Sequence, residues 1–130
     1  MHTTARILDA ITTVNERLIS FSQQLRAKAE VAEVRHAVDF RRYRSGIVIE
    51  FYVDAELKSG KGLSWWLEIK WNKEKWVLES SVLLNEGNHQ ETMREFPERI
   101  AKTGDDVVIE LDEAAMLLTS SIDCLDRACM

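Results

Sequence analysis

The histidines are the residues of this 130-residue chain whose side chains are best suited to acid–base or metal chemistry. His36 falls on the apolar register of the first predicted strand, where a satisfied core or edge histidine is a simpler interpretation than a general base. His89 lies in a polar loop, and Glu91 follows two residues later. These two side chains could supply two metal ligands, but no further ligands stand at a recognisable spacing. The histidines therefore predict neither a catalytic base nor a metal site.

Carboxylates are the second group that could do chemistry. Asp54, Glu68 and Glu79 fall on predicted strands and could approach one another. Such a pair works as acid and base in a cleft, whereas on an open sheet face it is solvated charge. The Gly60–Gly62 segment has the composition of a hairpin loop and lacks the pattern of a phosphate-binding loop. We predict no catalytic residues, no metal and no cofactor, so the function expected is non-enzymatic.

Size and composition are typical of one α+β domain spanning residues 1–130. Hydrophobic residues make up 45% of the chain and charged residues 30%. No apolar run approaches the length of a membrane helix, and no signal peptide is evident. Cys124 and Cys129 are too few and too close to form a disulfide framework, which favours reduced thiols and a cytoplasmic location. The net charge of -5 argues against a nucleic-acid partner.

Helical periodicity occupies the two ends of the chain. Near the N-terminus, apolar residues recur at steps of three and four, which predicts one long amphipathic helix. This stripe comprises Ile7, Ile11, Val14, Leu18, Phe21, Leu25 and Ala29. A coiled-coil seam and a helix lying across a sheet both fit it, and the second is favoured. A short helix is predicted over 97–102 and a C-terminal helix over 112–128, with Asp112 as the N-cap of the second. Residues 107–111 could be either a short strand or the lead-in to the C-terminal helix.

Alternation with a period of two occupies the middle third and predicts an antiparallel meander of four strands, or five if 107–111 is a strand. The predicted strands are 34–41, 47–57, 63–71 and 76–84, and residues 85–90 are expected to be a loop. The three turns predict three cross-strand pairs: Arg44 with Ile47, Leu57 with Leu63 and Trp71 with Trp76. One face is apolar in every pairing, which supports the meander.

The opposite face, called the outer face below, is polar in the same threading. One row would contain Arg41, Glu50 and Lys70. The next would contain Asp39, Tyr52, Glu68 and Glu79, and a third Ala37, Asp54, Trp66 and Ser81. Acidic residues would thus surround two large aromatics. We predict a partner-binding surface made of Tyr52, Asp54, Trp66, Glu68 and Glu79.

The plan of a long helix, a Trp-rich meander and a C-terminal helix on an acidic chain resembles the small immunity proteins of bacterial polymorphic-toxin and contact-dependent inhibition systems. The local part of this resemblance lies in two segments. They are Trp65–Trp71, with the sequence Trp-Trp-Leu-Glu-Ile-Lys-Trp, and Trp76–Glu79, which follows it. The resemblance implies a protein that binds and blocks a cognate toxin, often a basic one, through an acidic face. The acidic composition predicts no nucleic-acid partner, and the lack of a long apolar run predicts no membrane partner.

Two other functions are compatible with the same pattern. A secretion-chaperone-like protein would dimerise through a helix or an edge strand, and a homodimer fits this sequence as well. A small-ligand-binding or enzymatic domain would have a pocket between the first helix and the aromatic inner face of Phe51, Trp65, Trp71 and Trp76. The position of the helices discriminates between these hypotheses: if both lie on the Phe51 and Trp65 face, Trp66 is left in water.

Overall fold

The structure is a computed structural model and describes residues 2–43, 46–72 and 74–129. The chain begins with one long helix, continues through six strands and ends in helices. The elements are α1 (His2–Arg26), β1 (Val31–Tyr43), β2 (Gly46–Leu57), β3 (Gly62–Asn72), β4 (Lys75–Glu86), β5 (His89–Glu95), β6 (Arg99–Ala101), α2 (Gly104–Ser120), a 3₁₀ turn (Ser121–Asp123) and α3 (Cys124–Ala128). None of the helices in these ranges combines the length and apolar character needed to cross a membrane.

The six strands form one antiparallel sheet in the order β1-β2-β3-β4-β5, with β6 also paired to β4. The antiparallel meander is confirmed, but the count of four strands, or five with 107–111 as the fifth, was wrong. The predicted loop over 85–90 is a tight turn at Gly87 and Asn88 that leads into β5, where φ of Gly87 is +60°. The predicted helix over 97–102 is instead β6. It pairs with the first half of β4 through Trp76 and Ala101, and β5 pairs with the second half.

The N-terminal helix lies on the sheet, as the favoured interpretation predicted. Five members of its apolar stripe are at most 8% exposed: Ile11, Val14, Leu18, Phe21 and Leu25. The helix ends at Arg26, before Ala29, so the last residue of the stripe lies in the turn that leads to β1.

The C-terminal helix begins earlier than predicted. Thr103 is the N-cap, since its hydroxyl accepts a hydrogen bond from the Asp106 amide, and acidic residues in the first turn face the positive end of the helix dipole. Residues 107–111 are therefore helical, and neither a strand nor the start of the helix at Asp112 is observed. Asp112 lies within α2 and forms an ion pair with Arg17 of α1 at 3.2 Å.

Both helical layers pack on the same face of the sheet. Phe21 of α1 meets Trp65 of β3 edge-on, with ring centroids 5.1 Å apart. The indole Nε1 of Trp65 donates to the Ser121 carbonyl just after α2, at 3.1 Å. The described part of the C-terminal helices therefore covers the inner face, and the described outer face carries no helix.

The predicted register is correct at one turn and wrong by two residues at the other two. Trp71 pairs with Trp76 as predicted. The β2–β3 turn is tighter than expected because Gly60 adopts a left-handed φ of +94° and the Leu57 amide bonds the Lys61 carbonyl at 2.8 Å. Phe51 consequently faces Leu67 instead of Ile69.

The β1–β2 hairpin shows the same slip. Val38, not Phe40, faces Phe51, and the strands meet at Tyr43 and Gly46. The predicted pairing of Arg44 with Ile47 falls partly outside the described residues. A shift of two residues keeps every side chain on its predicted face but changes its neighbours across the strands. The prediction of faces is therefore confirmed. The predicted outer rows are correct between β3 and β4, where Glu68 faces Glu79 and Trp66 faces Ser81, and wrong between β1 and β2 and between β2 and β3.

Candidate partner-binding face

The structure places the five predicted site residues together on the outer face, on three adjacent strands. Tyr52 and Asp54 lie on β2, Trp66 and Glu68 on β3, and Glu79 on β4. All five are partly exposed, while their inner-face neighbours Val53, Trp65 and Leu67 have 0% exposure. The alternation of the strands therefore brings the predicted surface into one continuous patch.

Four carboxylates form a single row straight across the sheet. The register pairs Asp39 with Glu50, Glu50 with Glu68, and Glu68 with Glu79. We call these four residues the acidic row. Like charges directly opposite one another on a sheet oppose folding, so the row lowers the stability of the strands that carry it. An arrangement that costs stability and fills no core is characteristic of a functional surface.

The electrostatics of the row reflect this crowding. Burial raises the pKa of Glu68 above its ordinary value of 4.5, and Glu79 and Glu50 raise it further. Lys70 and Arg41 act in the opposite direction on the pKa of Glu68. Arg41 also places Nη1 at 3.3 Å from Oε1 of Glu50, whose side chain is 17% exposed. Lys70 and Arg41 therefore offset part of the repulsion between the carboxylates. The raised pKa of Glu68 shows that its surroundings would still favour an added cation.

Replacing Glu68 with glutamine is expected to stabilise the fold at neutral pH, by roughly 0.2–1 kcal/mol on the scale of cross-strand pairs. A carboxyl whose pKa is raised on folding contributes stability below its unfolded pKa and loses it as the pH rises through the folded pKa. The gain of the variant should therefore be present at pH 7 and vanish at pH 4 and below. Urea denaturation at both pH values measures it.

The control for this measurement is Glu86→Gln, which removes an exposed glutamate at the end of β4. It should leave the free energy of unfolding nearly unchanged at both pH values. If Glu68→Gln were destabilising at pH 7, the repulsive character assigned to the acidic row would be wrong.

Two aromatic side chains lie directly beside the acidic row. Tyr52 and Trp66 are cross-strand partners, so their side chains project from neighbouring positions on the same face. The carboxylate of Asp39 is the largest cause that raises the pKa of the Tyr52 phenol, followed by partial burial and by Asp54. This aromatic pair lines an open groove of about 460 Å³ together with Asp39, Arg41, Asp54, Ser64, Ser81 and Leu83. The groove combines a hydrophobic floor with an acidic rim.

No protein-family model, no curated protein and no solved structure matches this chain. The outer face has therefore to be interpreted from its own geometry.

Two members of the acidic row were not among the predicted site residues. Asp39 was already predicted in the row of Glu68 and Glu79, because the two-residue slips at the two turns cancel between β1 and β3. Glu50 alone was assigned to another row. The signal that could have placed it correctly is Gly60: a glycine at the third position of a three-residue hairpin loop indicates a tighter turn. With that turn, Glu50 would have been placed opposite Glu68.

The remaining chemistry-bearing residues do not converge on this face. His36 lies on the inner-face register opposite Val53. Its Nδ1 is buried and lacks a hydrogen-bond partner within the described residues, so one of the two ring nitrogens departs from the satisfied histidine that was predicted. Cys124 is buried and Cys129 exposed, and both are free thiols. Within residues 2–43, 46–72 and 74–129, no cluster of His, Cys, Asp or Glu has the make-up of a metal site.

Phe51 and Trp65 are packed into the core, whereas Trp71 and Trp76 are only partly buried. Phe51 and Trp65 have 0% exposure, and Trp71 contacts Trp76 with ring centroids 4.8 Å apart. A pocket between α1 and the sheet would need Phe51 and Trp65 to have accessible surface. Their burial removes the main structural reason for the ligand-binding hypothesis.

Proposed function

We propose that this chain is a non-enzymatic protein-binding module whose outer face binds a basic protein partner. The observation that carries the proposal is the acidic row beside the Tyr52 and Trp66 pair, on a sheet face that no described helix covers. Aromatic residues that a partner covers are the usual source of binding free energy, while surrounding charge selects the partner and accelerates its encounter.

The charges point to the chemistry of the partner. Asp39, Glu50, Glu68 and Glu79 present four carboxylates on four adjacent strands, so three strand spacings, about 14 Å, separate the first from the last. A lysine or arginine side chain placed over Glu68 would relieve its repulsion from Glu50 and Glu79 at the moment of binding. The partner proposed is therefore a folded protein or peptide with clustered basic side chains and an apolar group for the groove.

The class of function proposed is an immunity or antitoxin-type inhibitor of a cognate protein, acting in the cytoplasm. Such an inhibitor needs a rigid scaffold with one exposed, strongly charged recognition surface and no chemistry of its own. The continuous sheet, with Phe51 and Trp65 sealed beneath α1 and α2, supplies that rigidity. The resemblance of the sequence in overall plan supports the same class of function.

Trp66→Ala and Glu68→Lys test this proposal in capture experiments from native lysate, with the captured proteins quantified by mass spectrometry. Each variant is expected to weaken capture of a basic partner by about tenfold or more. Truncation of an aromatic anchor that the partner covers, or reversal of a central charge, costs about 2 kcal/mol of binding free energy. Binding should also weaken as salt is raised, since the encounter is electrostatic.

Two matched controls separate the outer face from the rest of the surface. Met116→Ala shortens a 49% exposed apolar side chain on α2, and Glu86→Lys makes the same charge change as Glu68→Lys at the end of β4. Both controls should retain the partner. Equal retention by Trp66→Ala and Glu68→Lys would overturn the site assignment, provided that their circular dichroism matches that of the unmodified chain.

A further inference from the structure

The outer edge of β1 is the longest open edge of the sheet within the described residues. β1 has 13 residues, ends the strand order and pairs with β2 on one side. Long exposed edges are normally blunted because they offer unpaired backbone groups to other chains. Phe40 on this strand is 63% exposed, which adds an apolar side chain to the open edge. The edge therefore needs either protection or a partner.

One hydrogen bond shows which residues of β1 direct their backbone amide and carbonyl groups to the open edge. Arg26 Nη2 donates to the Val34 carbonyl at 3.1 Å, so this carbonyl points away from β2. Hydrogen-bonding direction alternates along an antiparallel strand. The amide and carbonyl groups of residues 36, 38 and 40 consequently point to the open edge together with those of Val34. An added strand would have to pair with these even-numbered residues.

The outer-face side chains of β1 carry a charge pattern that is complementary to itself. The odd-numbered positions read Glu33, Arg35, Ala37, Asp39 and Arg41. When the strand is reversed about Ala37, Glu33 stands opposite Arg41 and Arg35 opposite Asp39. A slip of two residues in one direction would oppose Glu33 to Asp39, and in the other Arg35 to Arg41. Charge therefore selects one antiparallel register, since like charges directly opposed are destabilising.

We propose that β1 pairs antiparallel with β1 of a second copy of this chain, on a two-fold axis through Ala37. This pairing joins two six-stranded sheets into one and forms four cross-strand ion pairs on the outer face. On the inner face, Val34 is opposite Phe40 of the second copy, and His36 is opposite Val38. The Phe40 amide of the second copy donates to the Val34 carbonyl and replaces the hydrogen bond that Arg26 donates to it in the single chain.

The edge pairing agrees with the phase of the backbone. Val34 with Phe40 and His36 with Val38 are then the hydrogen-bonded pairs, because their backbone groups face the edge. Ala37 falls on a non-hydrogen-bonded position, where facing Cα atoms are about 4.5 Å apart. The pairing leaves Tyr52, Trp66 and Glu68 on strands away from the interface and shares only Asp39 and Arg41 with the proposed binding face. Its test reads self-association and not capture of a partner, so the two proposals can fail separately.

Sedimentation equilibrium over a wide concentration range tests the dimer. The mass is expected to rise from the 15.0 kDa of one chain to twice that value. Arg35→Asp should weaken association by about tenfold, because two symmetric pairs become repulsive, and the added change Asp39→Arg should restore it. A monomer at the highest concentration, or a double variant no better than Arg35→Asp, would overturn the proposal.

A cysteine crosslink tests the register directly. In a Cys129→Ser background, Ala37→Cys should form a disulfide between two copies under mild oxidation, since the expected Cα separation lies within the range of disulfides. Glu33→Cys is the control, because its two copies would lie about 26 Å apart at 3.3 Å per residue. Crosslinking at residue 33 and not at residue 37 would contradict the register.

Discussion

Replacing Trp65 with alanine is expected to lower the free energy of unfolding by about 3–5 kcal/mol. Trp65 has 0% exposure, packs edge-on against Phe21 of α1 and donates its indole N–H to the Ser121 carbonyl. The substitution removes a large buried side chain and leaves a buried carbonyl without its donor. A loss of this size is a large part of the roughly 5–15 kcal/mol that stabilises a typical domain. Urea denaturation followed by far-UV circular dichroism measures it.

The adjacent residue provides the control. Trp66→Ala removes the same atoms from the outer face, where the side chain is partly exposed and no described helix lies above it. Its cost should be clearly smaller, about 1 kcal/mol or less, because little apolar area returns to water. Equal costs for the two tryptophans would contradict the assignment of inner and outer faces, on which the proposed binding site depends.

Replacing Leu111 with alanine is expected to destabilise the fold by about 2–5 kcal/mol. Leu111 has 0% exposure and lies with Val107, Ala115 and Leu118 on the buried face of α2. The leucine fills the space between the helix and the sheet, so its truncation leaves a cavity that close-packed neighbours cannot fill. Thermal and urea unfolding both report the change.

Ile109→Ala is the matched control for Leu111. Ile109 is on the same helix two residues earlier, but it is 55% exposed. Its truncation should change the free energy of unfolding by about 0.5 kcal/mol or less. Were 107–111 a strand, alternation would place residues 107, 109 and 111 on one face, and Ile109→Ala would then be as costly as Leu111→Ala.

The two faces of the sheet could be predicted from the sequence because alternation depends on local pattern alone. Ile49, Phe51 and Val53 alternate with Glu50 and Tyr52. An error in the predicted register moves them to the other face only if the shift is an odd number of residues. The same reasoning holds for the stripe of α1, whose steps of three and four specify one side of a helix. These features required no knowledge of what lies across from them.

The acidic row could not be predicted because it depends on turn geometry. Whether Glu50 faces Glu68 or Lys70 is decided by the conformation of Gly60 and by one hydrogen bond from Leu57 to Lys61. Composition indicates a turn but does not specify how many residues it contains. The two slips cancel between β1 and β3, so Asp39, Glu68 and Glu79 were predicted in one row and only Glu50 was left in a wrong one.

The C-terminal third was predicted less well, for a different reason. β6 has three residues, and its strand conformation depends on pairing with Trp76–Leu78 of β4. Pro97 and Gly104 are typical of the start and end of a short helix, so local propensity predicts a helix there. A strand of three residues is too short to show a pattern of its own. Tertiary pairing decided the outcome, as it also did for β5, whose exposed sequence has little apolar alternation.

The separation of the two faces has a consequence for how this protein can evolve. The side chains that hold the sheet to its helices point inward, whereas Tyr52, Trp66 and the acidic row point outward from the same strands. Under the proposed function, substitutions on the outer face would change recognition while costing little stability, so they could accumulate without loss of the fold. Related chains are therefore expected to share the inner pattern of Phe51, Trp65 and Leu67 while differing in their outer rows. A lineage of such proteins could follow a changing partner by altering one face alone.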